Sequence, residues 1–129
     1  MCVFDPARIL VELLVLVVDD AMETLMKVLA VPPAAMRDEQ SVEVLRVWIA
    51  ERGLHCCLCV GRYAADGIKT ETRAWGVIIA DAVQHIADAL ASEGYGARDE
   101  LLSAVIESFE AEIASPTSGR TGEFTVRPA

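Results

Sequence analysis

At 129 residues, 53% of them apolar and 24% charged, the chain suits one packed domain that buries roughly two-thirds of its unfolded surface without needing a disulfide or a metal. Twenty acidic side chains against eleven basic ones leave a net charge of −9, and lysines and arginines never run three together. Duplex DNA or RNA, which is gripped by a basic footprint that displaces phosphate counterions, is therefore disfavoured as a partner.

Asp5 followed by Pro6 is a helix start: the carboxylate caps free amides, and proline at the first helical position gives up nothing it needed. The spacing predicts an apolar, then amphipathic N-terminal helix within residues 1–31, stopped by Pro32 and Pro33. Its apolar run, 9–18, is shorter than the twenty or so residues that span a bilayer and holds Glu12, so no membrane anchor is expected. It also lacks the basic opening and small-residue cleavage site of a secretory signal.

Residues 32–41 read as a polar linker. Two β-rich runs follow, 42–50 and 54–60, joined by Glu51, Arg52 and Gly53, with the glycine expected to take the left-handed backbone of a hairpin connection. If Ala50 faces Leu54, one face carries Val44, Trp48, Leu54, Cys56, Leu58 and Val60, interrupted by Arg46. The opposite face then carries Leu45, Val47, Ile49, His55, Cys57 and Cys59. Both faces are expected to be oily, and each needs a cover: the two later helices for one, and for the other a second copy of the chain or, in competition, the N-terminal helix folded back.

After a loop over 61–69, Thr70 is placed to cap a helix running to about Ser92, ended by Gly94 and Gly96. Trp75, Ile79, Ala82, Val83, Ile86 and Leu90 share its apolar stripe, expected to face the sheet. A second helix is predicted over 98–114, with Leu102, Val105, Ile106, Phe109 and Ile113 inward. Residues 115–129 are polar and turn-rich, so a flexible tail is expected, with at most a short strand at 124–127. The fold class expected is α+β: an N-terminal helix, a linker, a ββαα core over 42–114, and the tail.

The stretches VEVLRVWIAERGLHCCLCVG, TRAWGVIIADAVQHIADAL, RDELLSAVIESFEAEI and SPTSG resemble a small, mainly alphaproteobacterial family catalogued as a domain of unknown function, from about Met26 to Gly119. The resemblance implies a cytoplasmic bacterial protein with the same hairpin-then-two-helices order, and it carries over no catalytic residue. The cysteine cluster is a departure from it. Since the resemblance begins near Met26, residues 1–25 read as an upstream extension from an early start codon.

Two constellations offer chemistry. His55, Cys57 and Cys59 alternate on one strand and so present an imidazole and two thiolates to one side, a partial zinc set without the usual second ligand cluster. The plainer alternative is free cysteines acting as small buried hydrophobes in a reducing compartment. Asp81, His85 and Asp88 lie at i, i+4 and i+7 on one helix, spacing that suits a divalent metal and equally a solvated helix face. A cysteine nucleophile would need an electropositive, open setting, which this apolar segment of an acidic domain does not offer. A non-enzymatic interaction domain is therefore preferred, homodimeric through the hairpin, with Trp48, Arg46, Val44 and Leu58 as contact residues and a protein partner. The alternative is a metal- or small-ligand-binding protein.

Overall fold

The computed structural model describes residues 27–129. Most of the expected N-terminal helix lies outside the described residues, and 27–32 belong to no helix or strand. The expected linker holds a short helix, α1 (Pro33–Arg37), with proline at its first position. Its exit is tied by Ser41 Oγ donating to the Ala35 carbonyl at 2.8 Å and Gln40 N–H donating to Asp38 Oδ1 at 2.9 Å.

The compact unit that begins at Glu43 contains a three-stranded mixed sheet and two long helices. Strand β1 (Leu45–Ala50) pairs antiparallel with β2 (Gly53–Val60). The turn between them has two residues, Glu51 at φ 50° and Arg52 at φ 64°, both left-handed. That is the backbone of a type I′ turn, whose twist matches the strands it joins. Gly53, expected to supply the left-handed position, is instead the first residue of β2 and pairs with Ala50.

This shorter turn moves the register by one residue, which turns one strand's side chains over relative to the other. Ile49 pairs with Leu54, Trp48 with His55, Val47 with Cys56, Arg46 with Cys57 and Leu45 with Leu58. The expectation of two oily faces is thereby corrected. One face gathers Leu45, Val47, Ile49, Leu54, Cys56, Leu58 and Val60; the other gathers Arg46 and Trp48 with His55, Cys57 and Cys59.

Helix α2 (Ile68–Ser92) starts two residues before Thr70, with Gly67 at its cap position. Thr70 is not the cap: its hydroxyl donates back to the Asp66 carbonyl at 3.1 Å. At the other end Gly94, at φ 80°, donates its N–H to Ala91 O, and Tyr95 N–H donates to Leu90 O at 3.1 Å, a left-handed glycine cap. Helix α3 (Arg98–Ala114) returns alongside α2. Arg98 fastens the corner, donating from Nε to Asp88 Oδ1 at 2.7 Å and from Nη2 to Gln84 Oε1.

The expected flexible tail contains strand β3 (Thr121–Val126), which pairs parallel with β2 and makes β2 the central strand. Its register places Gly122, Phe124 and Val126 beside Cys56, Leu58 and Val60, and Thr121, Glu123 and Thr125 beside His55, Cys57 and Cys59. Gly122, at φ 148°, permits the approach: a Cβ there would sit 1.9 Å from the Cys56 carbonyl oxygen. The third strand thus extends the oily face with two apolar side chains and the opposite face with three polar ones.

The expectation that the two helices cover the sheet is also corrected. Among the described residues, no strand residue has its Cα within 8 Å of a residue of α2 or α3. Within this chain the helices pair with each other and leave the sheet to one side. None of the described helices is long and apolar enough to cross a membrane.

Candidate functional site

A half-buried apolar sheet face is ordinary when something packs on it. Here the face formed by β1, β2 and β3 is open: Ile49 is 85% exposed, Phe124 70%, Val126 61%, Val47 51% and Leu54 42%. These five surround the half-buried Leu45, Cys56, Leu58 and Val60 of the same face. Soluble monomers rarely show a contiguous apolar patch beyond a few hundred Å², and larger ones mark contact surfaces. Among the described residues only Ala87 and Glu71 are buried.

The opposite face has a different chemistry. Arg46 binds Glu43, with Nε 2.5 Å from Oε1. His55 Nε2 lies 3.2 Å from the Ala50 carbonyl oxygen, at the hairpin end of the face. Cys57 is exposed and Cys59 half-buried, and the three described cysteines are free thiols. Trp48 lies half-buried between these groups. The four residues expected to make contacts are therefore split: Val44, Arg46 and Trp48 share the polar face, while Leu58 belongs to the oily one.

Neither expected metal set is assembled. Among the described residues no group of three or more His, Cys, Asp or Glu side chains is placed to hold a metal ion. On α2, His85 Nε2 sits 3.4 Å from Asp81 Oδ2, both well exposed, whereas Asp88 is engaged by Arg98. The helical spacing survives, but the third ligand is turned to a guanidinium.

One polar residue of consequence carries no motif. Glu71, only 8% exposed, sits in the first turn of α2 and accepts three hydrogen bonds. Gly61 N–H donates to its Oε1 at 2.8 Å, Tyr63 N–H to its Oε2 at 2.8 Å, and Trp75 Nε1–H to its Oε1 at 3.0 Å. The Gly61 amide, then that of Tyr63, holds the carboxyl below the ordinary glutamate value; burial pushes the other way, and the Trp75 indole lowers it further. Since Gly61 directly follows β2 and Glu71 opens α2, this carboxylate fixes how the sheet leaves the helices. Trp75 four residues on is the sole local hint, since that spacing puts both on one side of a helix.

The chain matches the model of the domain of unknown function DUF5076 over residues 28–117. Among solved structures it is similar to one named "Structure of a putative pyruvate dehydrogenase from the photosynthetic bacterium Rhodopseudomonas palustrus CGA009". The two share 31% identity, with a TM-score of 0.57, over 75% of this chain and 93% of that one. A search of the curated proteins finds no match. With a family model covering most of its length, the chain belongs to the DUF5076 family.

Proposed function

We propose that this protein is a non-enzymatic interaction domain that works as a homodimer, with the oily face of its sheet in the dimer contact. The observation that supports this most directly is the near absence of buried side chains among the described residues, Ala87 and Glu71 alone, in a chain that is more than half apolar. Each large apolar side chain removed from water contributes roughly 2 kcal/mol. The five partly exposed side chains of one sheet face, equivalent to about three full ones, thus supply roughly 6 kcal/mol per face, comparable with the lost freedom of association.

The polar face, where Trp48 lies on the same side as the Arg46–Glu43 ion pair, is the surface assigned to a protein partner, since an aromatic is a common anchor. Free thiols at Cys56, Cys57 and Cys59 suit a reducing cytoplasm. The activity named for the similar Rhodopseudomonas chain is not carried over.

Light scattering on the full chain and on a chain starting at Met26 tests the proposal. A dimer in both cases is expected. A shortened chain that stays folded and monomeric contradicts it.

A further inference from the structure

We infer that the oily sheet face of one copy is covered by helix α3 of the second copy, and reciprocally, so that the dimer is built from two sheet-on-helix layers. This rests on the homodimer proposed above and specifies what meets what. The open sheet face has a counterpart in size and character on α3: Ile106, Phe109 and Ile113, exposed by 40%, 45% and 70%, recur at three- and four-residue steps and form one stripe. Within one chain the two surfaces do not meet, because no strand residue approaches α3. The Glu71 hydrogen bonds to Gly61 and Tyr63 fasten the junction that would have to reopen for them to do so.

Charge decides between the ways of pairing two copies. Helix α3 carries Asp99, Glu100, Glu107, Glu110 and Glu112 against the single base Arg98. Packing α3 on α3 across a two-fold axis would set these carboxylates against their own copies, and like charges brought together in a contact are costly. The segments flanking the strands carry Arg52, Arg62, Arg120 and Arg127 against Glu43 and Glu51, and Glu43 is already paired with Arg46. An acidic helix laid on a sheet whose ends carry more arginines than carboxylates is complementary, and a two-fold axis makes the contact twice.

Complementation between two variants tests this. Ile49→Asp places a charge on the sheet face, and Ile106→Asp places one on the α3 stripe. Each variant alone is expected to lose at least about a hundredfold in dimer affinity, since every contact then buries an unpaired carboxylate. An equimolar mixture is expected to regain dimers by sedimentation equilibrium, because a mixed pair joins one intact sheet to one intact α3 and leaves both damaged surfaces together. Failure of the mixture to recover, with a dimeric wild type, overturns the inference and leaves the homodimer standing. A monomeric wild type overturns both.

Should an aspartate variant fail to fold, cysteines decide the same question. In a chain whose four native cysteines are changed to serine, Ile49→Cys and Ile106→Cys proteins mixed with a flexible bismaleimide are expected to cross-link to each other. Cross-linking of Ile49→Cys to itself, with none to Ile106→Cys, is the contrary result.

Discussion

The two faces of the sheet are made by the same three strands yet ask for opposite surroundings. Alternate residues of β1, β2 and β3 give Val47, Ile49, Leu54, Phe124 and Val126 on one side, open to water. The intervening residues give Arg46, Trp48, His55, Thr121 and Glu123 on the other, with ion pairing and hydrogen bonding of their own. Neighbours along one strand therefore differ in what burial does to them: covering Phe124 stabilises an assembly, whereas covering Glu123 strips a charge of its water. The homodimer proposed above uses the first of these sides.

Substitutions at adjacent positions break this contrast most sharply. Phe124→Asp is expected to raise the dimer dissociation constant at least about a hundredfold, while Glu123→Ala changes it less than about twofold, since exposed charges contribute little. Sedimentation equilibrium on the two variants reads both effects.

Gly122→Ala removes β3 from both faces at once. Its added methyl collides with the Cys56 backbone, so β3 is expected to detach at a cost of about 3 kcal/mol. Hydrogen exchange should show lost protection at residues 121–126 and at the Arg127 amide, which donates to Val60 O at 2.8 Å, with protection in α2 and α3 retained.

Acid probes the junction between β2 and α2. The Glu71 carboxyl is held below the ordinary glutamate value in the folded chain, so its contribution is fully present above that value and is lost as pH falls through the lowered one. Thermal unfolding of the wild type and of Glu71→Gln should therefore differ most near neutrality, with the wild type higher. The gap should close as pH drops below the carboxylate range.

The smallest effect concerns the turn that sets the register. Glu51 and Arg52 both hold left-handed backbone that side chains disfavour. Arg52→Gly is expected to raise stability by about 1 kcal/mol in urea unfolding.

Much of the fold was legible from local pattern. Repeats at three and four residues mark α2 and α3, and the second helix spans the expected 98–114. Gly94 ends α2 as its left-handed capacity suggests. What escaped depended on choices a pattern leaves open. A glycine beside Glu51 and Arg52 drew the left-handed conformation to itself in the sequence reading, whereas the two-residue turn places it on Glu51 and Arg52 and shifts the register. That single residue of shift moved Trp48 to the side of His55 and Cys57 and gathered the apolar residues opposite.

Strand β3 was seen only in part, for another reason. The segment TGEFTV is short, follows a turn-rich stretch and pairs with a strand more than sixty positions earlier, so local pattern allowed only a short strand at 124–127 and said nothing of its start at Thr121 or its parallel pairing with β2. Glu71 was missed because one carboxylate reaching two loop amides leaves no spacing to recognise. Of the candidate contact residues, Leu58 lies on the oily face, while the more exposed Ile49, Phe124 and Val126 emerge only once the register and the third strand are known.

Thiol labelling at two adjacent positions tests the central claim most directly. In a chain whose native cysteines are changed to serine, Glu123→Cys and Phe124→Cys report on opposite sides of the same strand of the folded protein. The account predicts labelling about a hundredfold slower at 124 than at 123, because only the first is covered and must await opening. Equal, fast labelling at both positions in a protein that remains folded would contradict it.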